Sequence, residues 1–158
     1  MTESDKKFMR RAIALAEIGM SSNEGGPFGA VVVKDGVIIA EGNNGVTSTN
    51  DPTAHAEVVA IRRACEKLNS FQLDGCIIYT SCEPCPMCLG AIYWARPKMV
   101  FYACDKVDAA KIDFDDQFIY DEIDKPIGER NIPFVRILKN EGIKVFNKWA
   151  EKTDKTDY

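Results

Sequence analysis

Apolar side chains recur along this chain with two different periods, and the changes of period mark its elements. Across residues 5–20, Phe8, Met9, Ala12, Ile13, Leu15 and Ala16 fall near one stripe, while Lys6, Arg10 and Glu17 lie off it. That spacing predicts an amphipathic helix. Gly19 and Ser21-Ser22-Asn23 end it, and Glu24-Gly25-Gly26-Pro27 is a breaker run. Residues 28–34 and 37–42 are two apolar runs around Asp35-Gly36. Asp-Gly between β-branched runs predicts an antiparallel hairpin closed by a type I′ turn. Helical spacing returns over residues 54–68 through Val58, Ala60, Ile61, Ala64, Cys65 and Leu68, with Asp51 or Thr53 as the expected cap. A third strand is predicted at 76–81, a short helix at 85–94 closed by Arg96-Pro97, and a fourth strand at 99–103. A strand, helix and strand of this length form a crossover, so those two strands are expected to be parallel. Residues 105–128 read as polar and irregular, with a short helix at 116–123. A fifth strand is expected at 135–138, then a last helix at 142–152 with Val145, Phe146 and Trp149 turned inward. The charged tail at 153–158 has the composition of a disordered terminus.

Length and composition narrow the class. The 158 residues, 46% hydrophobic and 28% charged, suit one globular domain with one core. Net charge is −4 and the isoelectric point about 5.1. That balance argues against a broad nucleic-acid-binding face, which needs a basic patch, and suits a small neutral substrate. The first residues carry charges and no apolar signal region. No run approaches the roughly 20 apolar residues of a membrane span, so a cytoplasmic location is expected. Without a secretory signal, clustered cysteines read as metal ligands rather than disulfides. Cys65, Cys76 and Cys104 stand apart in apolar surroundings and read as buried, inert thiols.

The candidate chemistry lies in Thr80-Ser81-Cys82-Glu83-Pro84-Cys85-Pro86-Met87-Cys88, taken with His55, the only histidine. Cys85 and Cys88 are three apart, which on a helix puts both sulfurs on one face. Pro84 and Pro86 place them at a helix start, because proline is tolerated in the first turn and not inside a helix. The free N–H groups and dipole there favour thiolate. His55 supplies a third ligand. Three protein ligands leave zinc one open position, the mark of a catalytic site, and bring the pKa of a water there from about 15.7 to roughly 7. Glu57, two residues after His55, is placed to move the proton. On a regular helix residues i and i+2 point about 200° apart. His55 and Glu57 can therefore face one pocket only if that helix starts irregularly or the metal sits over its end. Cys82 forms an overlapping Cys-x-x-Cys pair with Cys85, but Pro84 separates it from the helix; as a fourth ligand it would close the site and make it structural. Glu83 reads equally as a solvated charge or as a buttress of the loop. Asn44, at the end of the second strand, offers a turn residue or an amide that reads a base edge.

His-x-Glu followed by Pro-Cys-x-x-Cys is the signature of zinc nucleobase deaminases. From about Phe8 to Leu138 the chain resembles the cytidine-deaminase-like superfamily. Gly25-Gly26-Pro27-Phe28-Gly29-Ala30 and Asn50-Asp51-Pro52-Thr53-Ala54-His55-Ala56-Glu57 carry that resemblance, and bacterial tRNA adenosine deaminases and fungal-type cytosine deaminases share them. Ile92-Tyr93-Trp94-Ala95-Arg96-Pro97, Phe114-Asp115-Asp116-Gln117-Phe118-Ile119-Tyr120 and the terminal Tyr158 look more narrowly like bacterial guanine deaminases. The resemblance implies an α/β fold of three layers, α/β/α, with a central mixed five-stranded sheet. It also implies a single deaminase domain over residues 1–158, a homodimer, and conversion of guanine to xanthine and ammonia. One Zn2+ per subunit would be held by His55, Cys85 and Cys88, with Glu57 as acid and base. Asn44 and the His55–Ala56 segment would hold the purine, Phe28 would stack near it and Trp94 would line the pocket. Asp116 and Tyr158 would reach its exposed edge. Residues 140–158 would close the site, by exchange between subunits. The alternatives are a deaminase of another free base, a tRNA adenosine deaminase, and a non-catalytic zinc module.

Overall fold

A computed structural model describes residues 1–157 of the chain. They form two compact units, Met1–Asp116 and the segment from Gln117 onward. In the first unit the order is α1 (Glu3–Ser21), β1 (Gly29–Lys34), β2 (Val37–Asn43), α2 (Val46–Thr49), α3 (Ala56–Leu68), β3 (Ile77–Cys82), α4 (Pro86–Ala95), β4 (Met99–Cys104) and α5 (Lys106–Ala110). The second holds α6 (Gln117–Asp124) and α7 (Lys139–Glu151), with a short 3-10 turn between them. No helix among the described residues is long and apolar enough to cross a membrane.

The sheet order is β2-β1-β3-β4, with β1 antiparallel to both its neighbours and β3 parallel to β4. The hairpin forms as the Asp-Gly signal dictates: Asp35 and Gly36 both take positive φ, 49° and 77°, as a type I′ turn requires. Alternation along the strands splits the core into two layers. Val31, Val33 and Tyr79 pack with Phe8, Ala12 and Leu15 of α1. Ala30, Val32 and Ile78 pack on the opposite face with Ala56, Ala60 and Ala64 of α3 and Ile92 of α4. Burying these two faces on opposite sides of one sheet gives the three layers.

Two contacts bring the helices close. A Cβ at Gly42 would run into the Ala56 carbonyl and the Ala60 amide, so the bare glycine lets the first turns of α3 lie on β2. On the other face Arg11 of α1 grips the Glu41 carboxylate of β2 with two hydrogen bonds, 2.7 Å from Nε and 2.6 Å from Nη2.

The expected fifth strand is absent. Residues 135–138 pair with nothing, and Val135 is 81% exposed. Apolar composition supplies a face for a strand but not a neighbour for its ladder, and Pro133 removes one donor beside it. The described sheet therefore has four strands. The last helix begins at Lys139, and Val145, Phe146 and Trp149 are exposed instead of turned inward, since no core of their own unit covers them. Helix α5, capped by reciprocal hydrogen bonds of Asp105 and Asp108, falls in a stretch the sequence pattern left irregular. Cys104 is exposed, not buried.

Bidentate pairing with Arg11 holds the Glu41 carboxyl below its ordinary pKa of 4.5. A depressed carboxyl adds stability above its unfolded-state value and loses it as pH falls through the folded value. Both side chains are a third or more exposed, at 40% and 33%, so solvent screening limits the gain. Glu41→Gln should lower the unfolding free energy by about 0.5–1 kcal/mol at pH 7. Urea titrations should show the two proteins converging as pH drops below the carboxylate range.

Candidate zinc centre

Three chain segments meet at the C-terminal end of β3. Cys85 is the N-cap of α4, in extended backbone (φ −63°, ψ 168°), with Pro86 opening the helix and Cys88 in its first turn. The prolines thus fix the helix start where the sequence placed it. His55 is the N-cap of α3, also extended (φ −69°, ψ 152°), and Glu57 follows in the first turn. This removes the angular difficulty between residues 55 and 57, because His55 lies outside the helix and the 100° step does not apply to it. Neither Asp51 nor Thr53 caps α3; Asp51 accepts instead from the Thr53 amide at 2.8 Å and hydroxyl at 2.7 Å in a local turn. The His55 side chain makes no capping bond, so its ring is available for the site.

The ring nitrogen Nδ1 of His55 is 3.5 Å from Sγ of Cys85 and 3.5 Å from Sγ of Cys88, and the three donor atoms lie within 4.8 Å of one another. A tetrahedral zinc with bonds of about 2.3 Å to sulfur and about 2.0 Å to nitrogen sets the N···S edge near 3.5 Å. The donor set fits zinc in kind and in spacing. Among the described residues this is the one such group, and Cys82 is outside it. The Cys82 thiol donates to the Asp105 carbonyl at 3.6 Å, and burial pushes its pKa up to about 11. The corner that would make the site structural is not filled by that sulfur.

The electrostatics call for a cation. Cys88 donates a hydrogen bond to the Cys85 sulfur, and with His55 beside it the Cys85 thiol falls to about 4. Cys88 moves upward for the same reason, then by burial. The opposite shifts describe one proton shared by two sulfurs, where zinc would bind both as thiolates. His55 is raised, chiefly by its bond to Cys85. Glu57 is only 6% exposed, and loss of water pushes its pKa up. Its carboxylate accepts from Thr80 Oγ1 at 3.2 Å through Oε1 and from the Cys88 thiol at 3.5 Å through Oε2. A buried carboxylate is therefore seated against a ligand sulfur.

The other residues singled out from the sequence surround this core unevenly. Asn44 is buried; its Oδ1 accepts from the Val46 amide at 3.1 Å, so half of the amide serves the turn into α2. Ala56 is fully buried. Phe28 meets Phe114 edge to face, centroids 4.9 Å apart. The Asp116 carboxyl is raised by burial and then by the charge of Cys85. Trp94 stands 64% exposed on α4. Tyr158 lies outside the described residues. Glu83 buttresses the loop: its Oε2 accepts from the Lys106 amide at 3.1 Å. Two residues lay in the motifs read from the sequence without a role assigned to them. Phe114 forms a wall against Phe28 and Gly26. Thr80 was legible only through strand alternation, which sets it on the same face as Ile78.

A nitrogen and two sulfurs at tetrahedral spacing, one corner free and a buried carboxylate beside it, define a catalytic zinc centre of the hydrolytic deaminase class. The chain belongs to the family described as the cytidine and deoxycytidylate deaminase zinc-binding region, which matches residues 2–104. It is 62% identical to guanine deaminase of Bacillus subtilis (strain 168) over 151 residues, 96% of this chain and 97% of that protein. The X-ray structure of guanine deaminase from Bacillus subtilis superposes with a TM-score of 0.94 at 61% identity, covering 97% of this chain and 98% of that one. A tRNA-specific adenosine deaminase of Aquifex aeolicus (strain VF5) is 45% identical over 96 residues, 60% of this chain and 64% of that protein.

Metal analysis of the purified protein should return one zinc per chain. Cys85→Ser and His55→Ala should bring it close to none, while Cys82→Ser should keep it whole. Zinc lost from Cys82→Ser would mean a closed, four-ligand site.

Proposed function

We propose that this chain hydrolyses guanine to xanthine and ammonia in a zinc-dependent reaction. The observation that carries the reading is a guanine deaminase likeness spanning nearly the whole chain, joined to a zinc site that keeps a corner open beside a buried carboxylate. Zinc held by His55, Cys85 and Cys88 supplies a Lewis acid that makes a water acidic near neutral pH. Glu57 accepts the proton of the water that attacks C2. It passes that proton to the adjacent ring nitrogen, takes the remaining hydroxyl proton, and delivers it to the amine, which leaves as ammonia. One side chain acts in turn as base and acid. Water is consumed and no other reactant is needed.

Asn44 and the His55–Ala56 segment hold the purine edge, and Phe28 stacks near the ring. Asp116 and Tyr158 reach the exposed edge, and Trp94 lines the pocket. Residues 1–158 work as one deaminase domain in a homodimer. Supporting the dimer, α4 presents Leu89, Tyr93 and Trp94 to solvent, a row of large side chains that a partner would cover. Supporting an exchange of residues 140–158 between subunits, Val145 and Phe146 are exposed in a single chain at 64% and 72%.

Glu57→Gln should keep zinc and lose about 10²- to 10⁴-fold in kcat; normal turnover of guanine by that variant rules out the acid/base role. Ammonia release from guanine, cytosine, adenine, their nucleosides and tRNA should be fastest with guanine. Faster release from another base, or from tRNA, names a different substrate class. Removing residues 153–158 should abolish activity with zinc retained, and full activity after truncation excludes a closing tail.

A further inference from the structure

We propose that Thr80 is a positioning residue for Glu57, its hydroxyl anchoring one carboxylate oxygen so that the other faces the reacting atoms. The inference rests on the acid/base reading of Glu57. It is carried by where Thr80 sits and by what its hydroxyl meets.

Thr80 lies on an interior strand. It is in register with Ala30 of β1 on one side and Tyr102 of β4 on the other, so its backbone is held from both edges. Alternation sets it on the face that Ile78 shares with α3 and α4, while Tyr79 points to α1. The residue is 1% exposed. Packing there asks only for a β-branched side chain, and valine has the same outline. A hydroxyl sealed from water must find an acceptor, and Glu57 Oε1 at 3.2 Å is that acceptor.

The two oxygens of Glu57 are not equivalent. Oε1 takes the Thr80 hydroxyl, and Oε2 lies 3.5 Å from the sulfur of Cys88. A sulfur that binds zinc is a thiolate and has no proton to donate. Of the two side-chain donors that Glu57 meets, only the Thr80 hydroxyl can persist when the metal is loaded. Glutamate has a long side chain with several rotatable bonds, and a single donor on a rigid strand restricts its last torsion. Oε1 is thus the anchored oxygen and Oε2 the working one. Proton transfer demands a donor–acceptor separation of roughly 2.6–3.2 Å in good alignment. Thr80 touches neither purine nor metal in this scheme, so its loss should fall on kcat and leave KM alone.

The test compares Thr80→Val, Thr80→Ser and Glu57→Gln with the unaltered protein in four measurements: kcat, KM, zinc content, and affinity for the product xanthine by calorimetry. Thr80→Val should lose about 10- to 100-fold in kcat, as other supporting contacts do. Its KM, zinc and xanthine affinity should not move. Thr80→Ser, which keeps the donor, should recover most of the rate. Wild-type kcat in Thr80→Val overturns the proposal, and so does a Thr80→Ser variant as slow as Thr80→Val. Loss of zinc from Thr80→Val also overturns it, because the residue would then serve the metal site. Thr80→Ala replaces Thr80→Val if the latter does not fold, with the same outcomes. Full activity in Glu57→Gln marks failure of the acid/base reading itself. Inactive Glu57→Gln beside fully active Thr80→Val marks failure of the Thr80 role alone.

Discussion

The structure depends on a concentration of negative charge that water does not relieve. Two cysteine sulfurs and the Glu57 carboxyl crowd together where little solvent enters, and each raises the cost of charging the others. The single Cys88 thiol proton lies between the Cys85 sulfur and the Glu57 carboxylate and relieves the crowding only in part. A divalent cation relieves it more completely, because it allows both sulfurs to be anionic at once. The thiolate and imidazole donors select a soft or borderline cation, and the same low dielectric that makes the cluster costly raises the carboxylate's affinity for a proton.

The fold serves this cluster by aiming two helix starts at one point. α3 and α4 both begin with extended N-cap residues, His55 and Cys85, at the C-terminal end of β3. The Cys88 backbone N–H bonds the Cys85 sulfur, and that of Glu57 bonds its own carboxylate, as helix starts favour anionic groups. The rest of the first unit keeps those starts in place. Gly42 allows α3 to close on β2, and the parallel β3–α4–β4 crossover locks the cysteine loop between paired strands. Glu83, bonded to the first residue of α5, ties the same loop from outside. Rigid elements, rather than loops alone, therefore hold all three donors, and a catalytic metal site needs that accuracy.

The polar residues around the core divide between structure and chemistry in a way their identities do not announce. Asn44 gives one end of its amide to a turn. Thr80, an ordinary β-branched strand residue in sequence, gives its hydroxyl to the buried Glu57 carboxylate. Cys82, which belongs to a metal-like Cys-x-x-Cys pair in sequence, spends its thiol on a backbone carbonyl.

Much of this was legible from residue order. The Asp35-Gly36 hairpin, the proline-fixed start of α4, the parallel crossover and the identity of the three donors all follow from local rules: steric limits on φ, ring closure in proline, and fixed helical and strand periods. Such rules act over a few residues. What they leave open is how segments some thirty positions apart meet, as His55 and Cys88 do across 33 residues. Packing of helices on a twisted sheet decided that His55 stands outside its helix, that Glu57 turns toward Cys88, and that Phe114 closes on Phe28. It also decided that residues 135–138, apolar enough for a strand, remain unpaired, because apolar composition gives a strand a face and not a ladder partner. Residue order determined which donors could bind a metal; only the tertiary structure decided that they meet at one point with a buried carboxylate beside them, because burial and distance are properties of the packed chain and not of its spacing.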